Sequence, residues 1–160
     1  MTATPDGGKY LIWDADAQSN YCRLGFLEGY PDDYKLMKGD NVASEWPADV
    51  ALRMDLDFPK KIKLADNLLN QVNLLIASSA LCDFFREKKV PNVEYLPVAI
   101  FNHKKKVATR EYSIVNLVTT QDCIDPAQSE VTWNKINPDY ISSLKRLVFD
   151  EQLATSVNVA

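Results

Sequence analysis

The chain is poor in the residues that build metal and disulfide sites, with one histidine, three cysteines and five glycines in 160 residues. His103 stands in a lysine-rich segment, and without a second histidine the histidine-based metal clusters are excluded. Cys22, Cys82 and Cys123 are far apart and form no CxxC pair, which argues against a disulfide scaffold or a zinc site. We expect reduced thiols, at least one of them buried.

Long apolar runs and phosphate-binding loops are also missing. No apolar run approaches the ~20 residues that a membrane-spanning helix needs, and nothing before Tyr10 resembles a positively charged secretory leader. The motifs GxGxxG and GxxxxGK[ST] do not occur. We therefore expect a cytoplasmic protein without a cofactor or a membrane partner. The net charge of −4 argues against a nucleic-acid partner and is compatible with a basic protein partner.

The apolar content is sufficient for one folded core. Hydrophobic residues make up 46% of the chain and aromatic residues 10%, which is too much for a disordered protein. We predict a single domain over residues 1–160, since this length suits one domain. Glycines and prolines interrupt residues 1–60, which we expect to be irregular and to bind a partner, whereas residues 61–160 form a scaffold of sheet and helix.

Two short strands are predicted in the N-terminal part. Tyr10–Trp13 is a short apolar run that ends at Asp14. Met54–Phe58 alternates between apolar and acidic residues, which predicts a half-buried strand closed by Pro59.

A strand followed by a helix is predicted in the middle of the chain. The apolar run Asn73–Ala77 predicts a buried strand, and Ser78 or Ser79 can then cap a helix over Ala80–Lys89. The alternative of one long helix over Leu64–Lys89 is left open.

Two alternating runs, Val93–Asn102 and Arg110–Thr119, are joined by a short polar connection and predict an antiparallel hairpin. Pro97 lacks a backbone donor, which indicates an edge position or a bulge. Weaker patterns predict a strand over Ser129–Trp133, a helical turn over Asp139–Leu144 and a strand over Leu147–Phe149. Together these elements predict an α+β fold, with a curved, mainly antiparallel sheet and one principal helix.

Pairs of carboxylates offer the main catalytic candidates. Asp14 and Asp16 follow an apolar strand, as in phosphotransferases that hold magnesium, but residue 18 is Gln where those enzymes have Thr. We favour a turn after a strand. Asp122 and Asp125 likewise favour a local turn over an acid–base pair. The lysine clusters at residues 60–63 and 104–106 lack interleaved aromatics and indicate solubility.

A mixture of aromatic and acidic residues in the N-terminal part is typical of a surface that binds a basic protein. The alternative is that the rings cover the sheet. The candidate partner-binding residues are Tyr30, Asp32, Asp33, Tyr34, Glu45, Trp46 and Asp49.

The order of several motifs over residues 54–150 resembles a family of bacterial immunity proteins, once classed as a domain of unknown function. That family has an apolar strand ending in Ser before a helix, then Glu-x-x-Pro-Val, Tyr-x-x-x-Asn, a turn with Asp-Cys, a Ser and a late Leu-Val run. A further hydrophobic-Phe-Arg element, usual in the family, is absent here. The matching segments are Leu74–Leu81, Glu94–Val98, Tyr112–Asn116, Val118–Cys123, Ser129 and Leu147–Asp150.

The resemblance implies a protein that binds and neutralises a cognate antibacterial toxin in the cytoplasm and performs no catalysis. It names no catalytic residue. Two alternatives remain, a metal-dependent phosphotransferase or hydrolase that uses Asp14 and Asp16, and a non-catalytic oligomeric adaptor. Assembly into a homo-oligomer is left open.

Overall fold

The computed structural model describes residues 20–118, 123–138 and 141–156. Contacts divide the chain into two compact units, residues 15–120 and residues 1–14 with 121–160, and each is described by itself. That the chain forms one domain, with a division near residue 60, stays a prediction. The described elements are β1 (Leu24–Glu28), α1 (Tyr34–Lys38), a 3₁₀ turn (Ala43–Glu45), β2 (Ala51–Met54), β3 (Asn67–Leu68), β4 (Ile76–Ser78), α2 (Ser79–Glu87), β5 (Val93–Phe101), β6 (Val107–Leu117), β7 (Glu130–Trp133), β8 (Ile141–Arg146) and α3 (Glu151–Ser156).

The larger unit is built on a six-stranded sheet in the order β1-β2-β5-β6-β4-β3. Strands β2 and β5 run parallel, and the other neighbouring strands run antiparallel. The prediction of an α+β fold with a curved, mainly antiparallel sheet and one principal helix is confirmed.

The sheet curls until its first strand reaches the segment that follows its last strand. The Leu24 amide donates to the Leu69 carbonyl at 2.8 Å, and the Gln71 amide donates to the Leu24 carbonyl at 3.1 Å. Asn70 holds the turn after β3, because its Oδ1 accepts from the amides of Val72 and Leu74. The result is a half-barrel.

The core fills the inside of this half-barrel. Each of the six strands contributes at least one large apolar side chain that is almost completely buried, and each such side chain stabilises the fold by about 1.5–3 kcal/mol. These side chains are Leu24, Leu52, Leu68, Ile76, Leu96, Ile100 and Ile114.

Helix α2 covers the other face of the sheet. The Ser78 Oγ accepts from the Leu81 amide at 3.2 Å, which satisfies one of the free donors of the first turn. Cys82 packs with Ala77 and Val115 in a second, smaller cluster. The predicted helix and its serine cap are confirmed, and the alternative long helix from Leu64 is wrong because β3, a turn and β4 occupy residues 67–78.

The predicted hairpin is confirmed as β5 and β6, and Pro97 stands at a local edge within it. The ladder between β2 and β5 begins only at Ala99, so Pro97 has no strand neighbour on that side. The register with β6 also shifts between Val98 and Ile100, as expected for a bulge near a proline.

The predicted strand over Met54–Phe58 is wrong, since the strand is Ala51–Met54 and a turn follows it. The Asp55 Oδ1 accepts from the Asp57 amide at 3.0 Å, and this local bond replaces a strand ladder. The alternation of Asp55 and Asp57 with apolar residues therefore marks a turn. The strand predicted at Tyr10–Trp13 lies outside the described residues.

The smaller unit contains the antiparallel pair β7 and β8. The predicted strand near Trp133 is confirmed, whereas the helical turn predicted at Asp139–Leu144 is wrong for its described part, because Ile141–Arg146 is a strand. The predicted strand at Leu147–Phe149 contributes a single bridge to Ile124. Among the described residues, no helix has the length and apolar character needed to cross a bilayer.

We expect Cys123 to be the only cysteine that an alkylating reagent modifies in the folded protein. Burial raises the pKa of the Cys22 thiol to about 11 and also raises the pKa of Cys82, and both side chains are almost completely buried, whereas Cys123 is half-exposed. The thiolate is the reactive form, so the two buried thiols react only after unfolding. Mass spectrometry after iodoacetamide treatment, with and without urea, checks this, and rapid labelling of Cys22 without urea would contradict it.

Candidate functional site

The structure brings the two segments that carry the candidate partner-binding residues together. The Tyr30 hydroxyl donates to Glu45 Oε1 at 2.7 Å, and the rings of Tyr30 and Trp46 lie 4.8 Å apart. Gly29 has a φ of +89°, which strains any residue with a side chain, and a Cβ there would lie 3.3 Å from the Asp49 carbonyl oxygen, so the two backbones approach closely. Residues separated in sequence therefore form one surface.

Burial divides the candidate residues into two groups. Tyr30 is only 6% exposed and Trp46 is half-buried against the core, so these two rings cover the sheet. Tyr34 is 48% exposed at the start of α1. Asp32 and Asp33 are half-exposed, and Glu45 and Asp49 are exposed. We call Asp32, Asp33, Tyr34, Glu45 and Asp49 the acidic surface.

Lys35, which the sequence analysis did not single out, lies within this surface. Its Nζ donates to Glu45 Oε1 at 2.7 Å and lies 3.6 Å from Asp32 Oδ2. The hydrogen bonds from Lys35 and Tyr30 lower the pKa of Glu45, and the same bond to Glu45 raises the pKa of Lys35. Burial, together with the bond to Glu45, raises the pKa of Tyr30 to about 12. These groups hold the two segments in one arrangement at neutral pH.

Glu94 and Asn116 anchor the segment before the 3₁₀ turn to the sheet. Glu94 Oε2 and Oε1 accept from the amides of Val42 and Ala43 at 3.1 and 3.0 Å. Asn116 faces Glu94 across β5 and β6, and its Nδ2 donates to Glu94 Oε2 at 2.8 Å and to the Asp40 carbonyl at 2.9 Å. The carboxylate thus satisfies amides that the short turn leaves without intrahelical acceptors.

Trp46 adds a further anchor. Its indole Nε1 donates to the Pro97 carbonyl at 3.0 Å, on the side of β5 where the ladder to β2 has not yet begun. The sequence offered one indication of these anchors, since Asn116 is a polar residue on an otherwise apolar face of β6. Nothing in the sequence indicated that Glu94 or Pro97 would contact residues 42–46.

Within the described residues, the remaining catalytic candidates do not come together in a catalytic or metal site. Asp14 and Asp16 lie outside them, and no group of histidine, cysteine and acidic side chains within residues 20–118, 123–138 and 141–156 is arranged to hold a metal ion. His103 contacts the Asp55 carbonyl at 3.0 Å through Nε2. Asp125 accepts from the amides of Ala127 and Gln128, which confirms the local turn for that residue.

We expect Glu94→Ala to lower the free energy of unfolding by about 2–3 kcal/mol, because it removes a charged acceptor from two backbone amides and from Asn116. Urea unfolding of the variant measures this loss. Glu111→Ala is the matched control, since Glu111 is an exposed glutamate on the same hairpin. Equal stability of the two variants would contradict the anchoring role of Glu94.

We expect the stabilising contribution of Glu45 to depend on pH. Its pKa is lower in the folded protein than the value of about 4.3 that an unfolded chain has. The contribution is therefore present above about pH 4.3 and is lost as the pH falls through the folded pKa. The stability difference between the protein and Glu45→Gln should shrink as the pH falls below about 4.3, as urea unfolding midpoints can show, and a difference that does not change with pH would contradict it.

Comparison with known families tests the resemblance that the order of the motifs gives. No curated protein matches the chain. The model of the immunity protein family (Imm11) matches residues 17–159. This span includes every described element and the acidic surface. The chain therefore belongs to the Imm11 immunity protein family.

Proposed function

We propose that this immunity protein acts as a non-enzymatic inhibitor that binds a cognate antibacterial toxin in the cytoplasm of the producing cell. Membership of the family supports the immunity role. Inhibition by binding needs a surface complementary to the toxin and no catalytic group, cofactor or nucleic acid. The acidic surface meets this need and is the proposed contact with the toxin.

The observation that carries this proposal is that the exposed carboxylates and the exposed ring of Tyr34 belong to segments whose position is fixed by hydrogen bonds. Residues 40–46, which include Glu45, are bound to the sheet through side chains of β5 and β6 and through the Pro97 carbonyl. The side chains of Tyr30 and Lys35 bond to Glu45 and so hold residues 30–35, which include the exposed Tyr34, to the same segment. A surface that is ordered before binding loses less conformational entropy when a partner arrives, so more of the contact energy appears as affinity.

The chemistry of the surface favours a basic partner. Asp33 and Asp49 have no ion pair with a lysine or arginine among the described residues, so both carboxylates are available to an incoming cation. Tyr34, which follows Asp33, is exposed and offers a large side chain with few rotatable bonds, which is typical of residues that dominate binding. Complementary charge also accelerates encounter with the correct partner.

The direct test is co-expression with the C-terminal domain of the toxin encoded by the neighbouring gene. The protein should restore growth, and the two proteins should elute as one stoichiometric complex from a gel-filtration column. Growth arrest in the presence of the folded protein, with no complex on the column, would refute the proposed function.

For the contact itself, we expect Asp33→Lys combined with Asp49→Lys to slow association with that toxin domain about tenfold or more at low salt. The charge change should affect the association rate more than the fold, because both carboxylates are at least half-exposed. Surface plasmon resonance at low and high salt measures it. Glu87→Lys combined with Glu111→Lys has the same net charge and serves as the control. Equal association rates for the two double variants would remove the acidic surface from the proposed contact.

A further inference from the structure

Two lysine clusters that are distant in sequence meet at one end of the half-barrel. One belongs to the turn at residues 55–63, and the other to the hairpin tip at residues 102–108. His103 joins them, since its Nε2 lies 3.0 Å from the Asp55 carbonyl oxygen. We call residues 54–63 and 102–108 the basic end.

A depression of about 490 Å³ opens between these two segments. Its aliphatic lining includes Ile62, which is 62% exposed, so an apolar side chain faces solvent beside the lysines. The lining residues are Met54, Pro59, Ile62, Asn102, His103, Lys104 and Ala108.

The hairpin tip that forms one wall is held in a fixed conformation. Asn102 Oδ1 accepts from the amides of Lys104 and Lys106 at 2.9 and 3.1 Å, and the Asn102 amide donates to the Lys106 carbonyl at 2.9 Å. Lys105 takes the positive φ of 58° that this tight turn requires. The lysines are therefore presented on an ordered backbone.

The positive charge at this end is not neutralised within the described part of the unit. None of the lysines at 60, 61, 63 and 104–106 forms an ion pair with a carboxylate of residues 20–118. Two carboxylates, Asp55 and Asp57, lie in the same turn, and Asp55 already accepts from Gln71 Nε2 at 3.1 Å. Lysines outnumber these acids, although the chain as a whole has a net charge of −4.

We propose that the basic end binds an acidic segment of a partner protein, with an aliphatic side chain of that segment in the depression. Charge complementarity selects the carboxylates of the segment, and Ile62 with its aliphatic neighbours selects the apolar side chain.

The lining favours a peptide over a nucleic acid. Binding of single strands commonly uses exposed aromatic rings on which bases stack. Phe58, which belongs to the basic end, already has the Arg23 guanidinium 4.4 Å and Lys61 Nζ 5.4 Å from its centroid. The depression itself is lined by aliphatic groups together with Asn102, His103 and Lys104, which suit a leucine-like side chain flanked by carboxylates.

This site is separate from the acidic surface. Trp46, the neighbour of Glu45 in the acidic surface, bonds to Pro97 on β5, whereas the depression begins at Asn102, at the other end of the same strand and of β2. Extended strands rise ~3.3 Å per residue, which puts roughly 20 Å between Pro97 and His103. The proposal therefore does not rest on toxin binding, and failure of one leaves the other standing.

The test uses the full chain and three defined probes of equal charge: a short peptide of glutamates and glycines with one central leucine, the same peptide with a central serine, and an oligothymidylate. The leucine peptide should bind about tenfold more tightly than the serine peptide, because only leucine buries apolar surface. Amide shift changes in NMR spectra should concentrate in the basic end. Equal affinity of the two peptides, shifts elsewhere, or tighter binding of the oligothymidylate would overturn the proposal.

Charge-reversal variants locate the site independently. Lys60→Glu combined with Lys104→Glu should abolish binding of the leucine peptide. Lys88→Glu combined with Lys89→Glu makes the same change in net charge at the exposed end of α2 and should leave the affinity unchanged. An equal loss of affinity for the leucine peptide in both double variants would mean that the peptide binds through nonspecific charge attraction. That result would also overturn the proposal.

Discussion

The arrangement of the acidic surface depends on the carboxylate of Glu94. Its strand is paired with β6, so the register of the sheet fixes where this charge lies, directly opposite Asn116. A partly buried carboxylate is costly unless it is hydrogen-bonded, and the amides of Val42 and Ala43 supply the donors it needs. These amides also depend on Glu94, because they have no acceptor within the short 3₁₀ turn. Residues 42–46 consequently adopt one position on the sheet. This position brings Glu45 within hydrogen-bond distance of Tyr30 and Lys35.

The parts of the fold that could be predicted are those whose contacts repeat along the chain. Strands β5 and β6 alternate over many residues, and α2 has both an apolar stripe and a serine cap, so local sequence was sufficient for them. Strand β2 could not be found in this way. Its residues Ala51, Leu52 and Met54 are all buried, which leaves no alternation to detect. The turn that follows β2 alternates between apolar and acidic residues without being a strand. The strand was therefore predicted at this turn and not at residues 51–54.

For the candidate surface, the sequence predicted which residue types occur but not which of them are exposed. Acidic and aromatic residues are concentrated in the N-terminal part, but their exposure is decided by contacts across long stretches of chain. Tyr30 can be buried because its hydroxyl donates a hydrogen bond to Glu45. Trp46 is held against the sheet because its indole N–H donates to the Pro97 carbonyl. Glu94, Pro97 and Asn116, which carry the family resemblance, bind residues 40–46 to the sheet, and the carboxylates of Asp33 and Asp49 take no part in these contacts. The residues that hold the backbone and those proposed to meet the partner are therefore different.

Parallel pairing of β2 with β5 explains why charges of opposite sign are kept apart. It is the one parallel pair among the strands that the structure describes in the sheet. Parallel strands begin at the same end, so the acidic segment before β2 lies beside the start of β5, and the lysine-rich turn after β2 lies beside the hairpin tip. An antiparallel β2 would have put the tip lysines next to Asp49, where they would neutralise it. The direction of one short strand therefore places surfaces of opposite sign at opposite ends of β2 and β5 in a chain of modest net charge.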